Sequence, residues 1–273
     1  MTDRYCVFGN PVSHSKSPLI HAAFARQTGE DISYSAILAP LDGFAASVNA
    51  FVAAGGRGAN VTVPFKEQAW LLANRRTARA ELAGAANTLV FDIAGIVGDN
   101  TDGAGLLRDI TLNLCCPLLD RRVLLLGAGG AARGVSGPLL DARPAALVIA
   151  NRTAARAHAL AGHFAPLGAV TGSGYSELAG QSFDIVINAT SASLGDALPP
   201  LPPGLFAAGS LAYEMVYGRD DTPFLAFARA QGAEQLADGL GMLVEQAAEA
   251  FHVWRGLRPD VTPVLAMLRN ADA

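Results

Sequence analysis

Lysine is nearly missing from this chain: of 20 basic residues only Lys16 and Lys66 are lysines, and the rest are arginines. A sequence that draws its solvated positive charge from arginine gives a retained lysine a local task to explain. Cysteine is scarce too. Cys6, Cys115 and Cys116 cannot form a disulfide framework, and none has the CxxC spacing of a zinc ligand pair, so a reducing, cytoplasmic compartment without a structural metal is expected. Charge is sparse at 16% of residues, with 20 basic against 24 acidic and a net charge of −4. No basic tract answers a phosphate backbone, which excludes a nucleic-acid partner. Long uninterrupted apolar runs are absent. The stretch from Ala197 to Tyr213 is broken by Pro199, Pro200, Pro202 and Pro203, and that from Ala157 to Ser176 by histidines, a proline and glycines. Neither predicts a membrane span. The start, MTDRYCVFGN, carries Asp3 and no apolar segment of a signal peptide.

What is present is apolar residue in quantity, 51% of 273 positions. That excludes disorder and suffices for two cores. Short apolar runs alternate with helical patterns. Strands are predicted at Tyr5–Gly9, Ile32–Leu38 and Ala59–Val63, with helices at Ser17–Gln27, at about Asp42–Ala54 and after Pro64. Thr88–Phe91 and Gly95–Val97 read as a hairpin or two edge strands, and Asp102 opens a helix to about Leu112. A second series starts at Arg122, with strands at Val123–Leu126, Leu147–Ala150, Asp184–Ala189 and Leu211–Val216. Helices at Leu240–Trp254 and Thr262–Leu268 close the chain. The alternation predicts an α/β fold with mostly parallel sheets. The expected domains are 1–102, completed by helices from 240–273, and 103–239.

Val123–Leu126 runs straight into Gly127-Ala128-Gly129-Gly130-Ala131 and then a helix. A glycine-rich turn in that context is the dinucleotide fingerprint, as opposed to an ordinary tight turn. Gly127 allows the turn, Gly129 lets backbone approach a pyrophosphate, and Ala132 stands where close helix packing is required. Pro138 is expected to kink the helix that follows. The second strand ends in Ile149-Ala150-Asn151-Arg152-Thr153, with Arg156 one turn on. No carboxylate is there for a ribose hydroxyl, whereas a guanidinium and a hydroxyl suit a 2′-phosphate. NADP is the cofactor this predicts. The plainer alternative is a solvated Arg152 at a helix start capped by Thr153.

Three clusters in the first domain exceed what packing needs. In Asn10–Pro18, Ser17 reads as an N-cap ahead of Pro18, and a helix start carrying the Ser15 and Ser17 hydroxyls can hold a carboxylate. Asn60–Lys66 ends a strand in polar groups where open α/β sheets bind ligands. Gly98–Gly103 lies at another strand-to-helix junction. Taken singly, Asp102 is a helix cap and Lys66 a surface lysine beside Glu67. Together they suggest an ion pair that holds an ammonium at a reacting oxygen.

These segments resemble one family, the shikimate dehydrogenases. The resemblance runs in order through Gly9–Pro18, Asn60–Lys66, Ala85–Leu89, Gly98–Gly105, Leu124–Gly134, Asn151–Thr153, Asn188–Leu194 and Gly241–Phe251. It implies an N-terminal α/β substrate domain and a Rossmann-type NADP-binding domain flanking a cleft, with the last helices returning to the first domain. The implied activity is NADPH-dependent reduction of 3-dehydroshikimate to shikimate in aromatic amino-acid biosynthesis, by a monomer or homodimer. Lys66 and Asp102 would be the catalytic pair. Ser15, Ser17, Thr62, Asn87, Tyr217 and Gln246 would bind substrate. Thr190 and Gly239 would join Gly127–Ala131, Asn151, Arg152, Thr153 and Arg156 at the cofactor. The run after Tyr217, beginning Gly218-Arg219-Asp220, departs from the family pattern. Rival readings are a quinate/shikimate dehydrogenase with broader cofactor use and a catalytically silent NADP-binding regulator.

Overall fold

A computed structural model describes residues 2–190, 192, 197–218 and 221–272. The chain divides into two compact units, one of Met1–Gly105 with Val244–Ala271, the other chiefly Leu106–Leu243. No helix among the described residues is long and apolar enough to cross a membrane.

The first unit runs β1 (Asp3–Gly9), α1 (Ser17–Thr28), β2 (Ile32–Leu38), α2 (Phe44–Ala53), β3 (Gly56–Val61), α3 (Lys66–Leu72), β4 (Arg75–Arg76), α4 (Ala78–Ala83), β5 (Thr88–Asp92), β6 (Gly95–Asp99) and the start of α5 (Asp102–Arg108). Its six-stranded sheet has the order β2-β1-β3-β5-β6-β4. β1 pairs in parallel with both β2 and β3, whereas β5 runs antiparallel to β3 and to β6. β5 and β6 form a two-residue hairpin. Asp92 faces Gly95 across it, and the Asp92 carboxylate accepts the Ala94 N–H at 2.8 Å.

β1 is buried from Tyr5 to Gly9 because both sheet faces are covered. Cys6 and Phe8 point into a core with Phe44, Val48, Phe51 and Phe65. On the alternate face Tyr5 stacks with Trp254, at 4.6 Å between ring centroids. That face also holds a cluster in which His21 stacks on Tyr34, 4.2 Å between ring centroids and nearly parallel, with Phe24, Phe251 and Trp254 around it.

The second unit contains β7 (Arg122–Leu126), α6 (Gly130–Asp141), β8 (Ala146–Ala150), α7 (Ala154–Phe164), β9 (Val170–Ser173), β10 (Phe183–Asn188), β11 (Phe206–Glu214), α8 (Pro223–Ala230) and β12 (Gln235–Ala237). Its order is β12-β11-β10-β7-β8-β9, with every pairing parallel. This is the doubly wound arrangement in which the strand order reverses between β7 and β10. Val123, Leu124, Leu125 and Leu126 are fully buried, as the unbroken apolar run requires. Two helices follow, α9 (Leu240–Arg255) and α10 (Thr262–Asp272).

Two local expectations need correcting. β3 stops at Val61 instead of Val63, because Phe65 N–H bonds back to the Thr62 carbonyl at 3.0 Å and turns the chain before Pro64. The first residue of α1 is Ser17, not its cap. The flanking residue is Lys16, and the Ser17 N–H instead donates to the Ser15 hydroxyl at 3.3 Å. Pro138 lies inside α6, which continues past it to Asp141. The ring removes one intrahelical donor there, the one that would reach the Gly134 carbonyl. The sequence patterns also left unmarked the short β4, β9 and β12, and α4 and α8.

Two outcomes follow from this packing. Leu125→Ala, in the middle of the second sheet, lowers unfolding free energy by about 2–5 kcal/mol in urea titration, from lost transfer energy and the cavity left behind. His21 is fully buried, and neither ring nitrogen has a hydrogen-bond partner among the described residues. Burial pushes it from 6.5 down to about 3, and the Asn60 amide, near it but outside hydrogen-bond geometry, pulls the other way. A histidine held neutral in the fold contributes full stability above the unfolded value of 6.5. That stability is lost as pH falls toward 3, at up to roughly 1.4 kcal/mol per pH unit. Urea midpoints measured between pH 7.5 and 4.5 therefore decline more steeply in the natural chain than in His21→Gln.

Candidate active site and nucleotide site

All the polar clusters of the first unit leave its sheet at one end. β1 and β3 run toward that end, and the antiparallel β5 begins there, so β6 ends there as well, with Thr88 facing Asp99. Four segments thus converge: 10–17 after β1, 62–66 after β3, 85–88 before β5 and 99–102 after β6. Backbone bonds fix them to one another. Ala86 N–H donates to the Lys66 carbonyl at 2.9 Å, Asn87 N–H to the Asp99 carbonyl at 3.0 Å, and Thr62 N–H to the Phe8 carbonyl at 2.9 Å.

Lys66, in the first turn of α3, donates from Nζ to Asp102 Oδ2 at 2.6 Å. It does not pair with Glu67, so the surface-lysine reading falls. Asp102 is 8% exposed. Its second oxygen accepts from Asn87 Nδ2 at 2.8 Å, and its N–H donates to Asn100 Oδ1 at 3.2 Å. The pair is therefore divided between two donors, one oxygen each, and one ammonium donor is used, leaving the others for a ligand. Asn87, 2% exposed, is itself held. Its Oδ1 accepts the Thr101 N–H at 2.8 Å, and its Nδ2 also reaches Gln246 Oε1 at 3.3 Å, on α9. Lys66, Asp102, Asn87 and Gln246 form one bonded group from four parts of the sequence.

Behind this group lies a buried polar layer that motif spacing did not single out. Asn60 Nδ2 donates to the Asn87 carbonyl at 3.2 Å and to Thr88 Oγ1 at 3.1 Å, while Tyr34 donates to Asn60 Oδ1 at 2.7 Å. Asn60, Asn100 and Thr101 sit inside the polar runs already noted, which was the available signal. Thr88 falls within the Ala85–Leu89 motif, whereas Tyr34 reads as an ordinary strand residue and carried none.

Thr62 lies in the turn before Lys66, and a Cβ on Gly9 would come within 2.5 Å of its methyl. Ser15 and the buried Ser17 stand at the start of α1. They share the end of the sheet but make no hydrogen bond to the Lys66 group among the described residues. Tyr217 is half-buried beyond β11 in the second unit, and Arg219 and Asp220, which follow it, lie outside the described residues.

In the second unit, Gly127 ends β7 with φ +107, and a Cβ there would stand 3.1 Å from the Ala189 carbonyl. Both the left-handed backbone and the neighbouring strand require glycine. A Cβ on Gly129 or Gly130 would meet nothing within 4 Å, so the N-terminus of the 12-residue α6 is open to an anion. Ala128 is half-buried, Ala131 exposed and Ala132 fully buried. At the end of β8, Asn151 N–H donates to the Ser173 carbonyl at 3.1 Å and its Nδ2 to the Thr153 carbonyl at 3.0 Å. That loop presents Arg152, Thr153 and Arg156 exposed. Thr153 occupies the cap position of α7 without a side-chain cap bond, so its hydroxyl is not consumed by the helix. Thr190, after β10, donates from N–H and Oγ1 to Asn188 Oδ1. Gly239 N–H donates to the Val216 carbonyl at 3.1 Å. The rest of the Asn188–Leu194 motif falls largely outside the described residues. An open helix start at the β7/β10 reversal, with two exposed guanidiniums at the end of the next strand, fits a dinucleotide bearing a 2′-phosphate. No cluster of three or more metal-ligating side chains occurs among the described residues.

Three family models match the chain. The shikimate dehydrogenase substrate binding domain covers residues 7–89, the shikimate/quinate 5-dehydrogenase model 111–195, and the shikimate 5′-dehydrogenase C-terminal domain 239–269. A Dechloromonas aromatica protein named shikimate dehydrogenase (NADP(+)) is 64% identical over 269 residues, 98% of each chain. The crystal structure of an Ael1 enzyme from Pseudomonas putida matches with a TM-score of 0.92 and 55% identity, covering 98% of each chain. Shikimate 5-dehydrogenase from Thermus thermophilus, solved with NADP(H) and shikimate, matches with a TM-score of 0.87 and 34% identity over 99% of this chain and 100% of that one. With the polar group at one sheet end and the nucleotide turn at the other sheet's reversal, these matches make the chain a member of the shikimate dehydrogenase family.

Proposed function

We propose that this chain is an NADP-dependent shikimate dehydrogenase, interconverting 3-dehydroshikimate and shikimate. The observation that carries the reading is the bonded group of Lys66, Asp102, Asn87 and Gln246. It places an ammonium, a carboxylate and two amides together in a largely buried setting, the donor and acceptor set that a polyhydroxylated ring with a reacting ketone needs. The names of relatives at 55–64% identity over nearly the whole chain support it.

When bound, reduced nicotinamide supplies the hydride. Lys66 donates to the substrate oxygen on which negative charge develops and stabilises that charge. Asp102 holds the ammonium in place through one oxygen and accepts from a neighbouring substrate hydroxyl. Asn87 keeps Asp102 oriented, and Gln246 and Thr62 complete the polar lining. Ser15 and Ser17 receive the ring carboxylate at the start of α1, and Tyr217 is a further substrate-binding residue. Gly127–Ala131 receive the pyrophosphate, Arg152, Thr153 and Arg156 the 2′-phosphate, and Asn151, Thr190 and Gly239 shape the rest of the nucleotide site. The same reading has the protein acting in the cytoplasm, as a monomer or homodimer. Its three free thiols suit a reducing compartment.

Lys66→Ala lowers kcat for shikimate oxidation by about 10²–10³-fold, with KM changed far less, since the lost interaction strengthens as charge develops. The rate of NADPH formation measures it, and unchanged turnover removes the catalytic assignment. Arg152→Ala raises KM for NADP+ by about 10- to 100-fold, the worth of charge-assisted bonds to a phosphate, and leaves KM for NAD+ nearly unchanged. Equal losses with both nucleotides would remove the 2′-phosphate contact. Running the same assay with quinate and NAD+ separates a strict shikimate enzyme from a broader one.

A further inference from the structure

Arg79, on α4, belongs to no motif, yet it bonds two carboxylates near the site. Its Nε donates to Asp99 Oδ1 and a terminal nitrogen to Asp99 Oδ2, both at 2.6 Å, a two-pronged pair with a carboxylate only 3% exposed. The other terminal nitrogen donates to Glu249 Oε1 at 2.8 Å on α9. Glu249 is bonded in turn by Arg258, which also faces the buried Glu245 at 3.8 Å.

Each end of this bridge leads to a residue of the proposed site. Asp99 Oδ1 accepts the Asn100 N–H at 2.7 Å and the Thr77 hydroxyl at 2.6 Å. Asn100 in turn accepts the Asp102 N–H at 3.2 Å and anchors its own amide on the Ala85 carbonyl at 3.1 Å. The side chain of Asp99 thus sets the turn that aims Asp102. Glu249 lies three residues after Gln246 on α9, so both share one helix face. Burial works to raise the Asp99 carboxyl, but the donors from Arg79, Thr77 and Asn100 hold it below its ordinary value, so the carboxylate stays an acceptor for the turn.

The geometry points to Arg79 as a positioning residue that sets Asp102 through Asp99 and Gln246 through Glu249, without itself touching substrate. This role rests on the shikimate dehydrogenase reading. A guanidinium suits it because three N–H groups in one plane serve two carboxylates at once, whereas an ammonium on a shorter reach cannot reproduce the fork.

Two variants separate the two arms. Arg79→Lys keeps the charge but loses the fork, and lowers kcat/KM for shikimate by about 10- to 100-fold, the scale of a misplaced reacting group. Glu249→Ala leaves the Arg79–Asp99 pair intact and removes the α9 arm together with the Arg258 pair at the same carboxylate, so KM for shikimate rises while kcat stays within about twofold. In both, the dissociation constant for NADP+, measured by calorimetry, stays at the natural value because the second unit is untouched. A natural chain that forms no NADPH from shikimate removes the functional reading itself. An active natural chain with Arg79→Lys of equal kcat/KM overturns the role of Arg79. So does a parallel loss of nucleotide affinity, which marks general destabilisation. If Arg79→Lys does not fold, Glu249→Ala decides: an unchanged KM for shikimate overturns the positioning role.

Discussion

The short bond between Lys66 and Asp102 is the constraint around which the first unit is organised. Placing an ammonium and a carboxylate where water is largely excluded is costly unless each is paired and the leftover lone pairs are met. The fold meets that demand by giving the two Asp102 oxygens different partners, Lys66 for one and Asn87 for the other. Asn87 can serve only because its own carbonyl oxygen is tied to the Thr101 N–H. A partly satisfied network would leave buried donors competing for Asp102; this one leaves the ammonium anchored and still able to donate.

The mixed sheet makes that arrangement possible. In an all-parallel sheet the start of β5 would lie at the opposite end from the end of β3. The chain reverses between β3 and β5 and again in the hairpin of β5 and β6, so residues before β5 and after β6 arrive beside those that follow β3. The second unit solves a different problem with an all-parallel sheet. Its strand order reverses between β7 and β10, which opens a place beyond the strand ends where the start of α6 can meet an anion.

Much of this was legible along the chain because it is local. Strands buried on both faces read as unbroken apolar runs, as in Val123–Leu126, and the strand–glycine–helix order announced the nucleotide turn. Asn151-Arg152-Thr153 pointed to NADP without any tertiary knowledge, since a missing carboxylate and a nearby guanidinium are facts of composition at one position. The misplacements were equally physical. Ser17 was read as the cap of α1, whereas it is the first helical residue and the hydroxyl that accepts its N–H belongs to Ser15. The end of β3 was overrun because a β-branched valine before proline looks like a strand until the turn from Thr62 to Phe65 is seen. The short β4, β9 and β12 have too few residues for a period of two to register, and pairing with neighbours creates them.

Lysine scarcity and polar strand ends marked Lys66 and the polar residues around it as candidates, and the sequence by itself therefore determined the class of fold, the strand–glycine–helix turn and which residues are candidates for the site. Only the tertiary structure decided their partners. Lys66 and Asp102 are 36 positions apart, and Asn87 and Gln246 are 159 apart. Arg79 joins Asp99 to Glu249 with no local pattern to betray it. Hydrogen bonds require approach within about 3 Å, and periodicity along a chain carries information about faces of single elements, not about which distant elements share an end of a sheet.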